Sequence, residues 1–211
     1  MSIQPVAEFD PASTLDLWTL VPTISEGPQR LEWARAAAEQ AVEVRGLGAT
    51  YGDRIAALLD ALAADAPPEP ASWRLLFFLQ PEFGATVWEL AFLDPDEAIS
   101  DRSLVGADEE AQLGNDVSTF EFNGLGGLQC VRFGLIDEAS EAPGEQAIEA
   151  TAATTVRRTL GGRPTALLAA TRTIHLESMA TSLVAMQYLL TSELLERLAT
   201  QEPQSDPSGT T

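Results

Sequence analysis

The sequence predicts an α+β domain in which an antiparallel sheet of about six strands carries a helical hairpin and a C-terminal helix. Three observations lead to this prediction. Two alanine-rich segments with helical spacing come first, segments with a period of two follow from Trp73, and glycine-containing turns separate several of them. Because most strands follow the helices and do not alternate with them, the order is typical of α+β folds.

The first two predicted elements are a short strand and an alanine-rich helix. The strand covers 15–22, where the apolar stretch LDLWTLVP ends at Pro22. The helix covers 28–46, because Pro28 suits a first helical turn and Gly46 suits a helix end. Its apolar stripe comprises Leu31, Ala34, Ala38, Ala41 and Val42.

A second helix is predicted over 50–66 and ends before the prolines of PPEP. Thr50 and Asp53 resemble the start of a capping box. Four apolar residues follow at helical spacing: Ile55, Leu58, Leu59 and Leu62. Since alanine-rich helices pack closely, we expect the two helices to form a hairpin against one face of the sheet.

A strand hairpin is predicted over 73–94. WRLLFFLQ is apolar on both faces, as expected for a strand that is covered on both sides. The turn PEFGA leads into TVWELAFLD, which places three large apolar residues on one face: Trp88, Leu90 and Phe92.

An acidic excursion is predicted over 94–118. From Asp94 to Glu121 the chain carries nine acidic residues against one arginine, so we expect an exposed and partly helical segment. Its opening, DPDEAISD, resembles a calcium loop, but three positions that should hold ligands or glycine hold Ala98, Ile99 and Val105. The match fails, although an irregular cation site among these carboxylates is left open.

The rest of the chain is predicted to contain five more strands, a helix over 191–200 and a disordered tail over 201–211. The strands cover 118–122, 128–136, 154–160, 164–176 and 182–189. Residues 1–200 are therefore expected to form one domain.

Two turns in this part are predicted from their glycines. Asn123 and Gly124 are a favoured hairpin pair, and Gly126 and Gly127 allow a bulge or a wider loop after them. Gly161 and Gly162 predict a tight two-residue turn, because glycine tolerates positive φ.

The charge of the chain restricts its partners. The formal net charge is −20, and such a field repels nucleic acids and anionic membranes, so neither is expected as a partner. All 12 basic residues are arginines, as is typical of proteins from GC-rich genomes. A lysine Schiff base and a P-loop lysine are excluded.

We expect a cytoplasmic protein. The start MSIQPVAEFD has no basic and apolar regions of a secretory signal. The longest uncharged stretch, 178–192, has 15 residues, which is fewer than the ~20 that a membrane helix needs. The single cysteine, Cys130, cannot form an internal disulfide, which agrees with a reducing compartment.

Candidate catalytic residues are few. His175 is followed by Glu177 and Ser178, but on a predicted strand these residues do not form a triad, and no nucleophile elbow is present. We expect His175 to lie on the polar face of its strand. Cys130 lacks a nearby histidine or helix N-terminus that would lower its pKa, so we expect a structural thiol. No cofactor or metal site is predicted.

The most specific feature is a basic island in an acidic chain. A third of the positive charge falls within 16 residues: Arg157, Arg158, Arg163 and Arg172. Counting back from the glycine turn pairs Thr151 with Arg172 and places Glu149 diagonal to it, which favours internal charge balance. The alternative is that these guanidinium groups, with His175 nearby in sequence, bind a carboxylate or phosphate.

The order of elements resembles PsbP-like proteins, including the LpqN-type branch of actinobacteria. The similarity lies in RPTALLAATRTIHL followed by SLVAMQYLLTSELLERLA, in LDLWTLVP, in the alanine-rich helices and in RLLFFLQ. It implies a sheet covered by helices and a non-enzymatic binding or accessory role. The chain departs from the lipoprotein branch because it lacks a signal peptide and a lipid-accepting cysteine, and no functional residue of the family can be placed on it.

The sequence supports three functional hypotheses. The first is a non-enzymatic cytoplasmic module that binds a protein partner through a sheet face or the acidic excursion. The second is an enzyme that uses carboxylates and arginines on a small molecule. The third is an acidic inhibitor or immunity-type protein that covers a basic partner, and homo-oligomerisation is left open in each case.

Overall fold

The computed structural model describes residues 17–48, 50–78, 85–95, 99–137 and 146–200. Within these ranges the fold is α+β, as predicted, with five helices and one antiparallel sheet of seven strands. In chain order the elements are β1 (Trp18–Val21), α1 (Gly27–Arg45), α2 (Thr50–Ala63), β2 (Trp73–Phe77), β3 (Thr86–Leu93), α3 (Asp101–Leu104), β4 (Asn115–Phe122), β5 (Leu125–Asp137), β6 (Gln146–Leu160), β7 (Arg163–Thr173), α4 (Leu176–Thr191) and α5 (Glu193–Thr200). Their order across the sheet is β1-β2-β3-β7-β6-β5-β4.

Helix α4 covers one face of the sheet. Its apolar residues pack on Trp88, Leu90 and Leu167, which are fully buried. Two buried hydrogen bonds fix the helix to β3: Trp88 Nε1 donates to Ser182 Oγ at 3.1 Å, and the hydroxyls of Thr86 and Ser178 lie 2.8 Å apart. Apolar packing and polar pairing therefore hold α4 in one position.

The opposite face has two separate covers. Helices α1 and α2 form the predicted hairpin and pack over β1 and β2 through Ala34, Ala38, Ile55, Leu59 and Leu76. The α3 segment, which we define as residues 99–114, packs over β5 and β6 through Val105, Ala107, Cys130 and Ala153. Each cover belongs to a different half of the sheet.

The prediction of a strand over 182–189 is wrong, because these residues lie inside α4. This helix is buried on most of its circumference, so its apolar residues show no one-sided stripe, and a short apolar run does not distinguish a buried helix from a buried strand. The preceding strand also ends earlier than predicted. β7 stops at Thr173, and His175 occupies the N-cap position of α4, without a capping hydrogen bond from its side chain, instead of lying on a strand face.

Both predicted turns are present. Asn123 and Gly124 have φ angles of 54° and 74° and connect β4 directly to β5, so Gly126 and Gly127 lie inside β5 and not in a loop. The other turn has φ angles of 54° and 80° at its two glycines, and Leu160 pairs with Arg163 as the sequence predicts.

The acidic excursion is more ordered than expected. Val105 and Ala107 are buried against the sheet, and β4 begins at Asn115. The predictions for residues 81–84 of the turn PEFGA and for the tail 201–211 fall outside the described residues. No helix in the described ranges is both long enough and apolar enough to span a membrane.

Candidate functional site

Arg157 ties β6 to the α3 segment. Its Nε donates to Asp101 Oδ1 at 2.6 Å, and its Nη2 donates to the carbonyl oxygen of Ile99 at 2.6 Å. The guanidinium therefore closes the α3 segment onto the sheet.

Arg158 lies on the opposite face and holds the C-terminal end of α4. Its Nη1 donates to the carbonyl oxygens of Leu190 and Ser192, both at 2.9 Å. Its Nη2 lies 3.7 Å from Glu196 Oε2 in α5, and only 8% of its side chain is exposed. A cation at this position satisfies terminal carbonyl groups and interacts favourably with the helix dipole.

Arg172 pairs with Glu149, as the predicted hairpin register requires. Arg172 lies opposite Thr151, and its Nε is 2.5 Å from Glu149 Oε2. The hydrogen bond and the charge of Glu149 raise the pKa of Arg172 above its ordinary value. The salt bridge balances charge within the hairpin.

The remaining predicted residues lie at the ends of β7. Arg163 is exposed beside the glycine turn, and His175 is exposed at the start of α4, where its backbone N–H donates to Thr173 Oγ1 at 3.0 Å. Ser178 is buried against Thr86, whereas His175 is exposed, so the two side chains do not form a solvent-accessible pair.

The hairpin does not bring its four arginines together. Strand alternation places Arg157 and Arg172 on one face and Arg158 and Arg163 on the other. Arg157 pairs with Ala166, so Arg172 lies further along β7 by six residues, or about 20 Å. Arg157, Arg158 and Arg172 join elements of the fold through different partners, and Arg163 lies exposed beside the turn.

In the described part of the chain, the single thiol and the carboxylates do not form a metal centre. Burial raises the pKa of the Cys130 thiol, which lies beneath the α3 segment. Among the side chains of the described ranges, no three His, Cys, Asp or Glu residues converge as a metal site would require.

Concave surfaces occur on both sides of α1. The fully buried side chains of this helix are alanines, at positions 34, 38 and 41, and the larger Trp33 and Val42 are only partly buried beside them. Leu31, which the sequence placed on the buried stripe, is 39% exposed. Grooves along this helix follow from the small size of its buried side chains.

The interhelical groove lies between α1 and α2 and has a volume of about 380 Å³. Its apolar lining comes from Ala38, Val42 and Ala56, and the charged residues around it are Arg35, Glu39, Glu43 and Asp53. An apolar lining with a mostly acidic rim suits a ligand that is both apolar and cationic.

The edge groove lies between β1 and α1 and has a volume of about 250 Å³. It has no charged lining residue and is formed by Trp18, Thr19, Leu20, Trp33, Ala37, Gln40, Ala41 and Val44. Leu20 is 44% exposed and Val44 is 54% exposed. The groove is therefore mixed, because apolar residues line it together with Thr19 and Gln40 and its exposed lining is more polar than apolar.

Sequence reasoning missed both grooves. The available signal was the absence of large apolar residues at Ala34, Ala38 and Ala41, together with Val44 lying outside the predicted apolar stripe. A helix whose fully buried side chains are all alanines leaves space beside it.

The chain was compared with protein families, with curated proteins and with solved structures. No family model, curated protein or solved structure matches it. The similarity to PsbP-like proteins therefore stays a prediction, and the function must be argued from the surfaces described above.

Proposed function

We propose that the protein is a non-enzymatic cytoplasmic interaction module that binds a protein partner through the surface formed by α1 and β1. The observation that carries this proposal is the presence of grooves on both sides of α1: the interhelical groove has an apolar lining, and in the edge groove apolar residues lie beside Thr19 and Gln40. Exposed Leu20, Leu31 and Val44 extend the apolar surface around them. Apolar patches with a polar rim mark interaction sites on soluble proteins.

The charge of the chain favours a basic partner. Seven arginines pair with carboxylates of the same chain: Arg30, Arg74, Arg102, Arg132, Arg157, Arg158 and Arg172. The large excess of carboxylates remains, and Glu32, Glu39 and Glu43 are exposed on α1. Such a field accelerates association with a basic protein and repels nucleic acids and anionic lipids.

Affinity capture from the native host tests the proposal. We expect the full chain to capture a basic protein, and Val44→Arg to reduce its recovery about tenfold, which corresponds to about 1.4 kcal/mol. Leu113→Arg is the matched control, because Leu113 is 47% exposed and lies in the α3 segment. If no captured protein responds to Val44→Arg more than to the control, the proposal is wrong.

Salt separates this function from that of an acidic inhibitor. Raising the salt from about 0.1 M to about 1 M shortens the Debye length from about 10 Å to about 3 Å. An interaction that depends on the grooves should survive this change in part, whereas binding by acidic charge alone should collapse.

A small-molecule enzyme is the second candidate, and the interhelical groove favours it. The volume of the groove lies within the range of ~300 to 1,000 Å³ that is usual for ligand sites, and carboxylates and Arg35 surround it. Thermal shift with a panel of alkylamines tests this function. A rise in Tm that disappears in the Glu39→Gln, Glu43→Gln double variant would favour a small-molecule ligand over a protein partner.

A further inference from the structure

We propose that β1 receives an extended segment of the partner as an eighth strand of the sheet, and that this segment is an apolar run flanked by basic residues. The proposal rests on the proposed function, because it specifies what occupies the strand side of the α1 and β1 surface. Its support comes from the backbone of β1, from the edge groove and from the charge of the chain.

The backbone of β1 has an unpaired side. β1 lies at one end of the sheet and, within the described ranges, pairs with β2 alone. The outer backbone groups of a terminal strand can pair with an incoming strand, as in domains that bind peptides by strand addition. The sequence WTLV contains neither charge nor proline, which are the usual obstacles to such pairing.

The edge groove provides apolar contacts on both sides of an added strand. The side chains of a strand point alternately to opposite faces. One set of the partner's side chains would contact Leu20, and the other set would contact Trp33 and Val44 of α1. Four residues of β1 correspond to about 13 Å of extended chain, so a short segment is sufficient.

Charge decides between a basic partner and a second copy of this chain. Pairing β1 with β1 of a second copy would bring two chains together that each carry a net charge of −20. Glu39 and Glu43 lie beside the interhelical groove on the other flank of α1, so the negative field at the edge groove comes from the net charge of the chain. Arginine or lysine on either side of the apolar run would be attracted by this field, whereas a second copy is repelled.

A synthetic peptide tests the proposal on the full chain. The probe is a fluorescent peptide with a short valine and threonine run flanked on both sides by arginines. We expect saturable binding by fluorescence anisotropy and slower hydrogen exchange at the backbone amides of β1. The same peptide with N-methylated amides in the run should bind at least about tenfold more weakly, because it cannot form the ladder. A version with glutamates in place of arginines should also bind more weakly at low salt.

Three variants locate the binding. Leu20→Arg and Val44→Arg should each weaken peptide binding about tenfold, because each places a like charge beside the position of the added strand. Leu113→Arg adds the same charge elsewhere and should leave the affinity within about twofold. Circular dichroism checks the fold, and Val44, on the surface of a helix, provides a second variant if Leu20→Arg disturbs β1.

Several outcomes would overturn the proposal. Equal binding of the N-methylated peptide excludes strand addition, and protection at β4 places it at the other edge. Protection of the outer β1 amides in the free chain means that the edge is already occupied by a second copy or by the chain itself. If capture of a basic protein still depends on Val44 but the peptide does not bind, strand addition is wrong and the proposed function stands. If the peptide does not bind and capture does not depend on Val44, both strand addition and the proposed function are wrong.

Discussion

At one end of the sheet β1 presents four residues without a charge, whereas at the other end β4 presents eight residues that include exposed Asp116 and Glu121. Charged side chains on an edge strand oppose pairing with another chain. β1 has Leu20 exposed beside a groove instead. The difference supports the proposal that a partner pairs with β1, because the charges of β4 oppose such pairing and β1 carries none.

The two edges also differ in what supports them. Arg74 of β2 anchors the β1 half: its Nε donates to Glu89 Oε1 at 2.8 Å, and its Nη1 donates to the carbonyl oxygens of Leu62 at 2.6 Å and Asp65 at 3.1 Å. The β4 half depends on close packing, because Phe120 of β4 lies opposite Gly127 of β5. One edge is held by a half-buried cation, and the other is held by an aromatic ring that packs over a glycine.

The largest effect is expected from Arg74→Met. The change leaves Glu89 without its cation and removes the hydrogen bonds to the end of α2, so unfolding should become easier by about 3 kcal/mol. Urea denaturation measures the loss. Arg102→Met is the control, because Arg102 and its partner Asp108 are exposed and the pair should contribute less than about 0.5 kcal/mol. A loss below about 1 kcal/mol for Arg74→Met would contradict the anchoring role.

Gly127→Ala should destabilise the β4 half by about 2 kcal/mol. An added Cβ would lie 2.5 Å from the carbonyl oxygen of Thr155 and 2.7 Å from Cε1 of Phe120. Gly126→Ala is the matched control, since its Cβ would meet the carbonyl oxygen of Phe120 at an ordinary 3.7 Å. Equal shifts in the urea midpoint for both variants would show that the close approach is not limiting.

Removing the charges of β4 should make the second edge resemble the first. In the double variant Asp116→Thr, Glu121→Thr, we expect the self-association constant to rise about tenfold, because repulsion between opposed like charges is lost. Sedimentation velocity at several concentrations measures this change. Replacing Glu110 and Glu177 by threonine removes the same charge elsewhere and should have no such effect.

Arg172→Gln is expected to have the smallest effect on stability. It gives a reference value for a salt bridge that lies away from both edges of the sheet. β7 lies in the interior of the sheet, and the Arg172 side chain is 67% exposed, so its pair with Glu149 should contribute less than about 0.5 kcal/mol. Thermal unfolding should give nearly the same Tm for this variant and for the parent chain. A larger loss would mean that solvent screens this pair less than its exposure suggests.

Local chemistry made part of the fold predictable. Asn123–Gly124 and Gly161–Gly162 form two-residue turns at positive φ, and such turns fix the register of the strands that they join. This register is why the pairing of Arg172 with Thr151 could be counted from the sequence. The hairpins can therefore be predicted from the sequence, because the turn residues that determine them are neighbours in the chain.

Other features depend on contacts between distant parts of the chain. Arg157 and Arg158 find their partners at Asp101 and Leu190, which no local count reaches. α4 was mistaken for a strand because the sheet buries most of its surface. The grooves depend on the position of α1 relative to α2 and β1. The sequence shows the alanines of α1, but it does not show the space beside them.

Cys130 is a natural reporter of how often the α3 segment leaves the sheet. It is the only thiol of the chain, and the α3 segment covers it. Burial also raises the pKa of the thiol, so little thiolate forms while the segment is in place. A thiol reagent can therefore react only when the segment leaves the sheet, and the rate of modification counts these openings. The rate would report motion of the acidic segment without any label being engineered into the protein.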